Sequence, residues 1–184
     1  QIPVIYFTKK AAAAHHINSQ ADIAIAASVH FEAKTRKGIN VAAFIDKQAP
    51  NTIILGAHLD HLGYGEDSNS RHTGAVAIHN GADDNASGTA ALLELARLLQ
   101  QQANLRFNIL LLHFSGEELG LYGSKYYTAN PLQDLNKAMY MINMDMIGRL
   151  NDSSKVLTLG GVGTSPSWGS ILNLDSQKDF TIKI

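Results

Sequence analysis

Three runs in this chain are apolar without alternation, residues 52–55, 107–114 and 138–144. Continuous apolar runs of that length predict strands buried on both faces of a sheet. A shorter run at 156–159 predicts a fourth such strand, and 180–184 a further one at which the chain stops. Between the first two runs the period changes. Ala90, Leu92, Leu93, Leu95, Ala96, Leu98 and Leu99 recur at helical spacing over residues 89–102, with Glu94 and Arg97 three apart on the polar side. That pattern predicts a helix with a wide buried face, and Ser87 offers it an N-cap. Residues 119–129 predict a second helix, stopped at Asn130-Pro131 because proline disfavours helical geometry in its predecessor.

Upstream, residues 23–31 and 39–45 are β-prone, and the charged, glycine-ended connection 34–38 suits a hairpin between them. Residues 4–7 predict a short strand. Thr8 then caps a helix over Lys9, Lys10 and the alanines that follow. Residues 63–74, rich in Gly, Ser, Asn and Asp, predict an exposed loop. Strands alternating with helices in this way predict an α/β fold, a three-layer sandwich whose mostly parallel central sheet is flanked by helices.

Composition narrows the function. With 184 residues, 45% hydrophobic and 17% charged, and a formal net charge of -1, the chain has the profile of one ordinary globular domain. No basic excess exists to hold a phosphate backbone, so no nucleic-acid partner is expected. The absence of cysteine removes thiolate ligands, a cysteine nucleophile and disulfides, and fits cytosol or an exported compartment equally. No stretch approaches the roughly 20 apolar residues of a membrane span. The start at Gln1-Ile2-Pro3-Val4, without an initiator methionine or signal segment, reads as a processed or truncated piece of something longer.

Candidate chemistry gathers where strands end. The first buried strand runs into Gly56-Ala57-His58-Leu59-Asp60-His61, the second into Ser115-Gly116-Glu117-Glu118 and the third into Asn143-Met144-Asp145. The glycine-flanked turn Gly81-Ala82-Asp83-Asp84-Asn85-Ala86-Ser87-Gly88 leads into the long helix. In open α/β sheets sites form at the carboxyl ends of strands, so these segments should meet at one edge. One histidine with several carboxylates and no sulfur suits zinc, with manganese or cobalt as competitors. The carboxylates outnumber the needs of one zinc, and a pair of ions about 3.5–4 Å apart sharing a carboxylate and a water is the natural arrangement. Glu117 and Glu118 could then divide the work, one binding metal and the other carrying the proton. The remaining histidines carry less. His15 and His16 are adjacent on a helix and point about 100° apart, His72 and His79 belong to a solvated loop, and His113 reads as a satisfied core residue. Gly160-Gly161-Val162-Gly163-Thr164 lacks the lysine and spacing of a phosphate loop.

Four motifs in order, His58-Leu59-Asp60, Asp84-Asn85-Ala86-Ser87-Gly88, Glu117-Glu118-Leu119-Gly120-Leu121-Tyr122-Gly123-Ser124 and Asn143-Met144-Asp145-Met146-Ile147-Gly148, resemble the co-catalytic zinc aminopeptidases related to bacterial leucyl aminopeptidase and glutamate carboxypeptidase. The resemblance covers roughly residues 40–165. It implies that Asp84, not Asp83, bridges two zinc ions, that His58 and Asp145 complete one of them, and that Glu118 binds the other. It further implies Glu117 as general base, Asp60 as the partner that orients His58, a cis peptide at Asp84-Asn85, a peptide substrate with a free N-terminus, and a periplasmic or extracellular location. Residues 1–35 resemble the closing part of a protease-associated domain, which leaves 36–184 as a partial catalytic domain. In the family the last ligand of the second zinc is a histidine far downstream, whereas no histidine follows His113 here. The expectation is therefore a weak or empty Glu118 site and an inactive fragment of an active peptidase. Two further readings stand beside this one: a glutaminyl cyclase relative using one zinc for acyl transfer, and a binding module that keeps the fold without the catalysis. Tyr64, Arg149 and Trp168 are candidates for the substrate pocket, with packing or surface roles as their alternatives. Nothing in the sequence sets the oligomeric state.

Overall fold

A computed structural model describes residues 4, 6–18, 26, 28, 30, 32, 35–172 and 180–184. The chain divides into a unit of residues 1–36 and a unit of residues 37–184. In the first, helix α1 spans Lys9–Ala14, and the Thr8 side chain accepts from the Ala11 amide at 3.1 Å, the cap its position predicts. Val4, Tyr6 and Phe7 are not in a strand. Most of the β-prone run at 23–31 lies outside the described residues, so the predicted hairpin does too.

The second unit is built on a four-stranded sheet of β1 (Val41–Ile45), β2 (Thr52–His58), β3 (Asn108–Phe114) and β4 (Ala138–Asn143), in the spatial order β1-β3-β2-β4. β2 runs parallel to both neighbours, with Ile54 opposite Leu110 and Met141, while β1 is an antiparallel edge on β3. Crossovers of this kind need intervening helices: α2 (Gly88–Gln100) lies between β2 and β3 in sequence, and α3 (Tyr122–Ala129) between β3 and β4. Side-chain alternation on β2 and β3 gives each face its own core. Ile54, Leu110, Leu112 and Phe114 pack with Tyr127 of α3 on one side. Leu55, Ala57, Ile109 and Leu111 pack with Leu92 of α2 on the other. Helices on both faces of the sheet make three layers. β3 is buried throughout and β2 at every position but Ile53, as their uninterrupted apolar runs predict.

Four expectations need correction. β4 is an edge strand, and Met139, Met141 and Ile142 are exposed because no element covers their faces among the described residues. The run at 156–159 does not join this sheet; β5 (Val156–Thr158) pairs in parallel with β6 (Thr181–Lys183), while α4 (Trp168–Leu172) lies between them in sequence. α3 starts at Tyr122, three residues later than the apolar pattern suggests, because Gly116, Gly120 and Leu121 take left-handed φ and spend the preceding segment on a turn. Ser87 is not an N-cap: it has helical angles and makes no capping bond. No helix among the described residues is long and apolar enough to cross a membrane.

Candidate metal centre

Parallel pairing places the ends of three strands side by side. His58 is the last residue of β2, opposite Phe114 at the end of β3, and Gly56 faces Asn143 at the end of β4. Glu117 and Glu118 therefore follow β3, and Asp145 follows β4, at the same lip of the sheet. The turn before α2 completes the group. Its Asp84-Asn85 peptide is cis, as the resemblance implies, and Asn85 is 1% exposed. Asn85 Nδ2 donates to the Met144 carbonyl at 2.9 Å, and its Oδ1 accepts from the amides of Gly88 at 3.0 Å and Met146 at 3.3 Å. One buried amide thus clamps the turn to the segment that carries Asp145 and supplies the α2 start with an acceptor that Ser87 does not. Ser87 Oγ instead donates to the Asp83 carbonyl at 2.6 Å and accepts from the Ile147 amide at 3.1 Å. Gly88 is required by contact: a Cβ there would stand 2.5 Å from Met144 O and 3.1 Å from Ala57 Cβ.

The two neighbouring aspartates go separate ways. Asp83 accepts from the Gly148 amide at 2.9 Å and faces Arg149 at 3.6 Å. Asp84 turns to the histidines, with Oδ1 at 3.1 Å from His58 Nε2 and Oδ2 at 3.9 Å from His61 Nδ1. Asp145 Oδ1 lies 3.5 Å from His58 Nε2. Glu118 Oε1 lies 2.6 Å from His61 Nδ1. Two groups of metal-ligating atoms result, His58 with Asp84 and Asp145, and His61 with Asp84 and Glu118, the atoms of each lying within 4.8 Å of one another. Ligand bonds of about 2.0–2.1 Å in a tetrahedron put donor atoms about 3.4 Å apart. The first group brackets that value, at 3.1 and 3.5 Å. Glu117 Oε2 stands 4.0 Å from His58 Nε2, off that ligand set but facing it.

The imidazole of His58 is held with Nε2 toward the carboxylates. Its Nδ1 is 2.9 Å from the Asp60 backbone carbonyl, which can only accept, so the ring proton sits on Nδ1 and the Nε2 lone pair faces Asp84 and Asp145. Asp60 thus meets this ring through its backbone carbonyl and not through its carboxylate. That carboxylate is 4.0 Å from His58 and accepts instead from the amides of Gly116 at 2.6 Å and Glu117 at 3.5 Å, so it fixes the turn that carries Glu117. Burial lowers the proton affinity of His58, but the Asp60 carbonyl and the charges of Glu117, Asp145 and Asp84 outweigh it and the net shift is upward. A lone pair aimed at carboxylates needs a proton or a cation between them. Glu117 is also shifted upward, by burial first; His58 opposes that, and Glu118, Asp145 and Asp84 add to it.

His61 was passed over in the sequence, where only its nearness to His58 marked it. Beside the centre is a cavity of about 240 Å³ lined in part by Asp60, His61, Ile78 and His79. His79 is tied to Ser70 Oγ at 2.9 Å, so it is less free than a loop position suggests. His113 is buried, but its Nδ1 has no hydrogen-bond partner among the described residues, and burial lowers its pKa. Trp168 packs edge-on against Tyr140 and donates to Thr164 Oγ1 at 3.0 Å, a packing role. His15 and His16 are exposed.

This arrangement of motifs on this fold has known relatives. Residues 40–178 match the model of Peptidase family M28. The chain belongs to that family. Leucine aminopeptidase 1 of Trichophyton equinum is 36% identical over 114 residues, which are 59% of this chain and 29% of that protein. Among solved structures, the glutaminyl cyclase of Porphyromonas gingivalis is 28% identical with a TM-score of 0.58, over 74% of this chain and 49% of that one. A Zn-dependent exopeptidase from Parabacteroides distasonis shares the fold, with a TM-score of 0.62 at 22% identity over 79% of this chain and 56% of that one. The chain thus spans 29% of the length of the fungal aminopeptidase it matches.

Proposed function

We propose that this M28 chain carries the metal centre of a zinc-dependent aminopeptidase that holds two ions and cleaves the first peptide bond of substrates with a free N-terminus. The observation that supports this best is the split carboxylate of Asp84, whose two oxygens face two different imidazoles, each group being completed by a further carboxylate. His58, Asp84 and Asp145 would hold one ion, with Glu118 and Asp84 on the other. When bound, the pair supplies a Lewis acid that acidifies a shared water and polarises the scissile carbonyl. The protein's own part is the proton. Glu117 faces His58 from outside the first ligand set, and its raised proton affinity suits a base that takes a proton and then returns it to the leaving amine. Asp60 keeps that base in place through the Gly116 and Glu117 amides. A periplasmic or extracellular location is part of the same proposal.

Glu117→Gln is the direct test. It should leave zinc content unchanged and lower kcat on a leucyl anilide by about 10²–10⁴-fold in the protein that carries this chain, the usual contribution of a positioned acid-base group. A loss under tenfold would remove Glu117 from that role. The likeness to a glutaminyl cyclase supports a second reading, one ion and acyl transfer, which predicts a single zinc per chain and cyclisation of N-terminal glutamine.

A further inference from the structure

Asp145 stands on a stretch that the sheet no longer holds. The last bond that β2 gives it is the Gly56 carbonyl, which accepts from the Met144 amide at 2.8 Å. At Met146 the backbone takes φ +51, so strand geometry stops one residue past Asp145, whose side chain is 46% exposed. What replaces the sheet is the turn that carries Asp84. Its side chains take the next backbone groups in succession: Asn85 bonds the Met144 carbonyl and the Met146 amide, Ser87 Oγ accepts from the Ile147 amide at 3.1 Å, and Asp83 Oδ1 accepts from the Gly148 amide at 2.9 Å. Three consecutive amides thus meet three different side chains of one turn. The two segments are in close contact there, since a Cβ on Gly148 would stand 2.8 Å from Ser87 Cβ and 3.2 Å from Asp83 Oδ1. Ser87 Oγ also donates to the Asp83 carbonyl at 2.6 Å, which ties two of the three to each other. The second oxygen of Asp83 meets Arg149 at 3.6 Å, but that side chain is 80% exposed and an ion pair so placed contributes little.

We propose that Asp83 and Ser87 are positioning residues for Asp145. With Asn85 they fix residues 146–148, so that Asp145 brings Oδ1 to 3.5 Å from His58 Nε2 beside Asp84. Asp83 does this as a hydrogen-bond acceptor and not as a charge. The adjacent aspartates then have different tasks: Asp84 faces the imidazoles, and Asp83 sets where the carboxylate from the end of β4 arrives. This rests on the zinc reading above, and only on the ion that His58, Asp84 and Asp145 would hold.

Competitive zinc titration of the protein that carries this chain reads the effect on the ion whose affinity Asp145→Asn weakens. Asp83→Ala and Ser87→Ala should each weaken that ion about 10–100-fold, the usual cost of losing an outer partner. Asp83→Asn keeps the Oδ1 acceptor without the charge and should stay within about threefold of the unaltered protein. In an Asp145→Asn background Asp83→Ala should change zinc affinity by less than about threefold, because the group it acts through is gone. An Asp83→Asn variant as weak as Asp83→Ala would overturn the proposal by assigning the effect to charge. A full Asp83→Ala effect that persists in the Asp145→Asn background would also overturn it, by routing the effect through Asp84. Unchanged affinity in both alanine variants would overturn it and leave the zinc reading standing, whereas no zinc on the unaltered protein would overturn both. Circular dichroism of the metal-free variants checks folding first, and Ser87→Ala carries the same test should Asp83→Ala not fold.

Discussion

Asp84 stands between two imidazoles with one carboxylate oxygen turned to each, so its single negative charge faces both groups of candidate ligands. Residues that serve one half should behave differently when removed. Asp84→Asn is expected to weaken both zinc ions, while Asp145→Asn weakens only the one held by His58. Titration calorimetry with zinc would show this as loss of both binding steps in the first variant and of one step in the second; equal effects would mean that the shared carboxylate is not shared. The same scale explains why Glu117 and Glu118, adjacent in sequence, need not compete. Glu118 Oε1 is turned to His61 and Glu117 Oε2 to His58, and the Asp60 carboxylate holds the backbone between them. A further acid in the motif, Asp83, is taken out of the centre by the Gly148 amide and Arg149.

At the level of elements, stability and placement are set by β2, β3 and the helices on their two faces. Leu92 is the point at which α2 enters its core, 0% exposed beside Ala57 and Leu111, whereas Leu93 next to it is 63% exposed. Leu92→Ala should cost about 2–5 kcal/mol in urea unfolding, the range for emptying a packed leucine site, and Leu93→Ser less than about 0.5 kcal/mol. Equal costs would mean that α2 packs on a different stripe. The helix is less deeply seated than its seven apolar positions suggest, because the sheet receives one stripe through Leu92, Leu95, Ala96 and Leu99 and leaves the flanking Leu93 and Leu98 in solvent. β3 carries a pH-dependent weakness of its own. Burial keeps His113 neutral in the fold, with its pKa below the ordinary 6.5, so the unfolded chain binds that proton first and stability falls as pH drops through about 6.5. His58 is shifted the other way, so its contribution is lost as pH rises. Comparing the chain with His113→Leu isolates the first effect: the variant should lose less of its melting temperature between pH 7.5 and 5.5, and identical slopes would place His113 in contact with solvent.

For the molecule as a whole, the centre concentrates the carboxylates of Asp84, Glu117, Glu118 and Asp145 around His58 and His61, an arrangement that a divalent ion relieves. Zinc at about 100 times its dissociation constant should add about 2.7 kcal/mol of stability per site, seen as a rise in melting temperature that a chelator reverses; a melting temperature indifferent to zinc would argue against a centre that binds only the folded chain. How much of this was legible beforehand follows from the range of the interactions. Apolar period and length are local properties, so the chain by itself fixed β2, β3, the existence of α2 and α3, the exposed loop at 63–74 and the helix behind Thr8. The motifs likewise placed His58, Asp84, Glu117, Glu118 and Asp145 at the carboxyl ends of strands or at the start of a helix. Pairing partners are not local. That β4 is an exposed edge, that β5 leaves the main sheet for β6, that Asn85 rather than Ser87 serves the start of α2, and that Asp60 offers His58 its carbonyl and Glu117 its carboxylate were decided only by which segments meet. His61 belongs with these. One residue among eight histidines, it is singled out only once Gly81 closes beneath it and Glu118 arrives from β3, because convergence in space is encoded by no single stretch of chain.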